Sequence, residues 1–222
     1  PPRNRDLTFE SVIEEAADDT KMHGAPEFIL KIVQLQELME IRHSVFVMDL
    51  PVVVNPDLED FGKANNKAGN KTSIIDINPK VVSTNEFYGV VHLQTREWID
   101  GLFSCKLRDF SKETDTNPKW IILDGDLDAN WIESMNSVMD DNKLLTLASN
   151  ERIAVKGHMK LIFEIRNLNH ATPATVSRAG ILYISDDDGT QWRSYVKSWI
   201  KYSSYNAERK EASRTYSIST LM

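Results

Sequence analysis

A run of four apolar residues, Trp120-Ile121-Ile122-Leu123, ends in a carboxylate at Asp124. Such a run reads as a strand buried on both faces, and its C-terminal end is where open α/β sheets bind ligands. A carboxylate in that position orients Mg²⁺ and its waters on the phosphates of a nucleotide. The residues that follow, Asp124-Gly125-Asp126-Leu127-Asp128-Ala129-Asn130, also place oxygen side chains at alternate positions, as a calcium loop does. The imitation fails on two counts. The sixth place needs Gly and holds Ala129, and the twelfth needs a bidentate Glu and holds Met135. A free-standing enzyme using Asp124, Asp126 and Asp128 as a metal cluster is therefore the least supported reading. His23, His43, His92, His158 and His170 show no metal-motif spacing, and Cys105 has no evident base beside it. Packing or surface roles are expected of them. Asp186-Asp187-Asp188-Gly189 is expected to be a solvated turn closing a strand.

A strand-end carboxylate needs a sheet to carry it. Four segments read as strands buried on both faces: Ser44–Val47, Trp120–Leu123, Lys160–Ile165 and Ile181–Ile184, with Ser73–Ile77 a weaker fifth. Helical patterns fall between them at Asn85–Gly89, Gly101–Phe110 and Trp131–Asp140. A further helix begins at Pro26 and carries Phe28, Ile29, Ile32, Val33, Leu35, Leu38, Met39 and Ile41 at three-to-four spacing. Strands alternating with helices specify an α/β fold with a parallel sheet covered on both sides. Residues 1–25 read as a polar lead-in holding little of the core, residues 26–188 as the α/β domain, and residues 189–222 as a loosely packed extension.

Composition sets limits on partners. With 26 Lys+Arg against 33 Asp+Glu the formal charge is −7, which leaves no basic surplus for a phosphate backbone or an anionic bilayer. Neither nucleic acid nor membrane is expected as a partner, and no window approaches the length of an apolar membrane span. The single cysteine forms no internal bridge, consistent with a reducing interior. A chain that opens on Pro1 is expected to be a piece of something longer.

Several long stretches together resemble one family. They include Phe28-Ile-Leu-Lys-Ile-Val-Gln-Leu-Gln-Glu-Leu38, Arg42-His-Ser-Val-Phe-Val47, Asp76-Ile-Asn-Pro-Lys80 and Thr95-Arg-Glu-Trp-Ile-Asp-Gly-Leu-Phe-Ser104. Lys119-Trp-Ile-Ile-Leu-Asp-Gly-Asp-Leu-Asp128, Trp131-Ile-Glu-Ser-Met-Asn-Ser-Val-Met-Asp140 with its continuation to Leu147, and Ala171-Thr-Pro-Ala-Thr-Val-Ser-Arg-Ala-Gly180 complete the set. This pattern resembles the axonemal dynein heavy chains, specifically the large subdomain of the second AAA+ module of their motor ring. The resemblance implies a three-layer, P-loop NTPase-like fold with a five-stranded parallel sheet in the order 5-1-4-3-2. It implies ATP or ADP with Mg²⁺ as cofactor, and Asp124 as the Walker B carboxylate holding the metal through water. Gly125 falls where a hydrolytic site has its catalytic Glu, so a bound nucleotide would be held rather than turned over. Asn167 matches the position that senses the γ-phosphate. Arg178 matches the arginine finger, which acts on the nucleotide of the adjoining module. The implied partners are the neighbouring AAA+ modules and, through other parts of the parent, dynein intermediate and light chains and microtubules. The implied location is the cytoskeleton of the cilium or flagellum.

One departure stands out. After its first strand the family has a Gly-rich loop whose backbone N–H groups and Lys cradle phosphates. Here the position reads Met48-Asp-Leu-Pro-Val-Val-Val-Asn-Pro56, with no Gly, no Lys and two prolines that lack amide donors. Gly69-Asn70-Lys71-Thr72 is no substitute, because a residue separates Gly from Lys. Codons for Met48 to Pro56 exist that, read from the third base of the Met codon, spell Gly-Leu-Ala-Gly-Ser-Gly-Lys-Ser. Part of residues 48–72 is thus expected to be an out-of-frame reading restored downstream. As the chain stands, weak nucleotide affinity and poor packing of residues 48–72 are expected. The alternative function is a pseudo-ATPase scaffold that binds no nucleotide and only transmits conformational change in the ring.

Overall fold

The computed structural model describes residues 7–19, 26–48, 71–184 and 196–201, with Gly62, Asn66, Gly69 and Arg193 as isolated positions. Residues 49–61, the Asp186–Gly189 run expected to be a turn, and residues 202–222 lie outside the described residues.

Five strands form one parallel sheet: β1 (Ser44–Met48), β2 (Ser73–Ile77), β5 (Lys119–Asp124), β8 (Met159–Ile165) and β9 (Gly180–Tyr183). The intervening β3 (Gly89–Val91) pairs antiparallel with β4 (Trp98–Asp100), and β6 (Leu144–Thr146) with β7 (Arg152–Ala154). The sheet runs β2-β5-β8-β1-β9, so the five long strands, numbered in chain order and read from the far edge, give the expected 5-1-4-3-2. Together with its flanking helices this is the expected α/β architecture.

Alternation along the strands divides the core into two layers. Phe46, Ile121, Leu123, Leu161, Phe163 and Ile165 face one side. They meet Phe87 and Tyr88 from α3 (Thr84–Tyr88), Phe103, Leu107 and Phe110 from α4 (Leu102–Lys112), and Trp131, Met135 and Val138 from α5 (Ala129–Met139). Val45, Val47, Trp120, Ile122, Ile162 and Leu182 face the other side, against α1 (Leu7–Asp19) and α2 (Pro26–Ile41).

Two expectations are corrected here. The lead-in does carry core, since Ile13, Ala16 and Ala17 of α1 are buried and the first two pack in the α2 layer. The modest helical pattern over residues 9–17 is the stripe that packs there. The strand expected at Ile181–Ile184 is not buried on both faces, because β9 is an edge strand whose Ile181 and Tyr183 point outward. Edge position exposes one row of side chains that a central strand would bury. The two hairpins had no sequence expectation at all.

Local chemistry sets the helix starts. Ser83 and Glu86 form a reciprocal capping box on α3, Asp128 caps α5 through the Asn130 amide at 2.9 Å, and Thr172 caps α6 (Pro173–Arg178) through the Thr175 amide at 3.2 Å. Gly101 before α4 lies so close to the Gly89 nitrogen and Phe87 carbonyl that an added Cβ would stand 2.3 and 2.4 Å from them. No larger residue fits there.

Candidate functional site

Asp124 closes β5 in register with Glu164 of β8, at the C-terminal edge of the sheet. Its carboxylate is half-buried. The chain then turns sharply, with the Gly125 amide donating to the Glu164 carbonyl at 3.2 Å. On β2, Asp76 stands in register with Ile122, two residues short of Asp124. Desolvation, and then the negative charge of Asp124, push the Asp76 carboxyl above its ordinary value of 3.8. Asp124 at the strand end, with Asp76 on the adjoining strand, supplies the oxygen donors that would hold a Mg²⁺ through water. Residues 49–61, where the family pattern has its phosphate loop, lie outside the described residues.

The other acidic residues of the run are otherwise occupied. Asp126 accepts from the Arg166 amide at 3.1 Å and stands 3.6 Å from the Lys80 ammonium, while Asp128 caps α5. No group of three or more His, Cys, Asp or Glu able to hold a metal occurs among the described residues. The three-carboxylate reading is therefore set aside, because two of its members serve backbone geometry.

At Gly125 a built Cβ would meet Asn78 Oδ1 and the Pro79 ring, each at 3.3 Å. The turn Asn78-Pro79-Lys80, pinned by the Lys80 amide on Asn78 Oδ1 at 2.9 Å, occupies the room a side chain at 125 would need. A side chain at 125 would need that turn to give by a few tenths of an ångström. Asn167, just past β8, is at the same sheet edge as Asp124, and its Oδ1 accepts from the Asn169 amide at 3.0 Å. That bond shapes the local turn and occupies one acceptor position of the side chain.

Arg178 lies elsewhere. It ends α6, two residues before β9, whose first residue Gly180 is level with Val45, Ile162 and Ile122 across the sheet. Three strand intervals, about 14 Å at ordinary spacing, separate β9 from β5. Arg178 also sits toward the opposite end of the strands from Asp124. The guanidinium is 30% exposed and engaged by the last turn of α5: Nε donates to Asp140 Oδ1, and Nη1 to Asn136 Oδ1 at 3.4 Å. One molecule does not bring Asp124 and Arg178 into one site.

No family model matches the chain. It is 52% identical over 216 residues, 90% of its length, to "Dynein alpha chain, flagellar outer arm" of Chlamydomonas reinhardtii. It is 50% identical over 209 residues, 94% of its length, to "Dynein beta chain, ciliary" of Heliocidaris crassispina, and 48% identical over 209 residues to human "Dynein axonemal heavy chain 17". The chain is similar to axonemal dynein heavy chains. It spans about 5% of the length of these dynein relatives.

Within this dynein-like segment, two ionic centres escaped sequence reasoning. Arg108 of α4 binds both oxygens of Asp100 at 2.8 and 2.9 Å and both of Glu151 at 2.8 Å, tying β4 and the β6–β7 hairpin to one helix. Lys119 opens β5 at 1% exposure, held at 2.5 Å by both Glu113 and Asp115 and lying 5.7 Å from the Phe110 ring centre. Burial alone would lower its pKa, but the two carboxylates outweigh that and raise it. A lysine opening an apolar strand reads equally well as solvated, so the sequence held no signal for the second centre. For Arg108, no local pattern announces partners 8 and 43 residues away.

Proposed function

We propose that this chain is part of the motor ring of an axonemal dynein heavy chain, an ATP-driven, minus-end-directed microtubule motor of cilia and flagella. Within that ring it forms the large subdomain of the second AAA+ module. The location that follows is the axoneme, a cytoskeletal compartment, where the dynein relatives carry their ciliary and flagellar names. Microtubules and the intermediate and light chains are met through other parts of the parent, and the neighbouring modules are met directly.

The observation that supports this reading is the separation of Asp124 and Arg178 on one sheet. Asp124 at the C-terminal edge, with Asp76 beside it, suits Mg²⁺-nucleotide, while Gly125 packed against Asn78 and Pro79 supplies no group to activate water. When bound, Mg²⁺ would screen the phosphate charge, and Asp124 would orient it through water. The module therefore holds nucleotide without turning it over. Arg178 is too far round the sheet to serve that pocket, so its guanidinium serves a phosphoryl group presented by an adjoining module. An arginine so supplied is worth about 10³ to 10⁵ in rate.

The second reading, a scaffold that binds no nucleotide, is favoured by one feature: residues 48–56 hold neither Gly nor Lys. A fluorescent ATP analogue titrated into this chain and into a version carrying Gly-Leu-Ala-Gly-Ser-Gly-Lys-Ser after β1 separates the two. Binding in the restored form alone supports a nucleotide-holding module with a misread loop. No binding in either form establishes the scaffold. The coding sequence across residues 48–75 is an independent check: no neighbouring frame spelling a Gly-rich loop ending in Lys-Ser would mean a genuine replacement.

A further inference from the structure

The contacts around Arg178 form a chain of bonds that engages two of its three guanidinium nitrogens. Nε is taken by Asp140 and Nη1 by Asn136 Oδ1, while Nη2 makes no bond among the described residues. Asn136 is itself fixed, because its Oδ1 also accepts from Thr175 Oγ1 at 2.9 Å, and Thr175 is 1% exposed. Thr175 in turn is set by Thr172, the cap of α6, through a hydroxyl pair at 2.9 Å. Asp140 is anchored by its own amide, which donates to the Asn136 carbonyl at 3.0 Å at the end of α5.

A surface ion pair of this exposure, 30% on Arg178 and 34% on Asp140, adds little to folding stability. What it does supply is geometry. A free arginine carries several rotatable bonds, and freezing it at the moment of reaction costs rate; a pre-set guanidinium avoids that cost. Its third nitrogen, Nη2, keeps two N–H groups that can serve an anionic phosphoryl oxygen arriving from another body.

We infer that Asp140 and Asn136 are positioning residues for Arg178, aiming its free nitrogen at the phosphoryl group of an adjoining nucleotide site. The inference rests on the reading that Arg178 acts on a neighbour, and it adds the residues through which it does so. The carboxylate works as a hydrogen-bond acceptor for Nε, so Asp140→Asn keeps the function while Asp140→Ala removes it.

The test is steady-state ATP turnover of the full-length heavy chain bearing Asp140→Ala, Asp140→Asn, Arg178→Ala, or Asp140→Ala with Arg178→Ala. Asp140→Ala is expected to lower kcat by about 10²-fold, the scale of a 1 Å misplacement, with the KM for ATP unchanged. Asp140→Asn is expected to recover most of that loss, and the double variant to be no slower than Arg178→Ala. If Arg178→Ala is slow but Asp140→Ala turns over normally or faster, the positioning role is wrong while the arginine assignment stands. The role is equally wrong if Asp140→Asn is as slow as Asp140→Ala, or if the double variant shows the product of both losses. Normal turnover in Arg178→Ala would instead remove the underlying reading, and the positioning role with it.

Discussion

Gly125 shows how one residue type can be fixed by its neighbours as much as by chemistry. A Cβ there meets Asn78 Oδ1 and Pro79 at 3.3 Å, closer than ordinary van der Waals contact. A side chain installed by Gly125→Glu needs the Asn78–Lys80 turn to give by a few tenths of an ångström, an overpacking that costs about 1–3 kcal/mol where the neighbours are held. A lowered Tm in Gly125→Glu is the expected outcome, and an unchanged melting curve would show that the turn yields freely. Lys119 makes the complementary case. Its buried ammonium depends on Glu113 and Asp115, so replacing both with their amides should lower thermal stability more than the sum of the single replacements. Additive losses in a differential scanning experiment would contradict the shared role. Of these two, Gly125 could be flagged before the structure, because the family resemblance implies a catalytic Glu at that position in a hydrolytic site. The burial of Lys119 could not, because a lysine opening a strand reads equally well as solvated.

At the scale of elements, two contacts give the fold a pH dependence whose sign is fixed. His43, between α2 and β1, donates from Nε2 to the Val138 carbonyl at 2.8 Å, capping a free acceptor in the last turn of α5. Burial is the main cause that lowers its pKa below 6.5, with Lys143 and Lys160 adding to it against a bond to Val138 that acts the other way. Below pH 6.5 the unfolded chain therefore takes up a proton that the folded chain resists, and stability falls as pH falls. His43→Gln, which keeps a donor and loses the titration, is expected to flatten urea-denaturation stability just below pH 6.5; an unchanged slope would contradict this. Asp100 and Glu151 lie below their ordinary values of 3.8 and 4.5, chiefly through their bonds to Arg108. Their contribution is complete above pH 4.5 and is lost as pH falls through their folded values. Arg108→Met should remove that acid-dependent part and loosen the β6–β7 hairpin, measurable as a shallower acid unfolding curve and faster amide exchange at Leu145 and Ile153. Neither hairpin was legible in the sequence. Their strands are three residues long, and their turns rely on Arg96 and Asn150 at positive φ rather than on an Asn-Gly pair. The long strands were legible because continuous apolar runs admit few other readings.

For the molecule as a whole, sheet order decides which residues can cooperate. Placing β1 between β8 and β9 puts the loop after β1 and the carboxylate of β5 at one edge, and carries Arg178 to the far side of the sheet. The strands themselves were readable from hydrophobic runs, but their order was not. It came from resemblance, since nothing in a run such as Ser44–Met48 says which strands flank it. The same holds for Arg178: its residue type is visible, whereas Asp140 and Asn136 lie 38 and 42 residues earlier and meet it only because α5 runs back across the sheet. The account divides holding and catalysis between two edges, so damage to each should read out differently. The most direct measurement is the ATP turnover of the intact heavy chain with Arg178→Ala beside Asp124→Ala. Arg178→Ala is expected to slow turnover by about 10³-fold or more while this module's own nucleotide occupancy stays the same, and Asp124→Ala to reduce that occupancy with a much smaller effect on rate. Full turnover in Arg178→Ala, or equal loss of rate in both variants, would contradict the account.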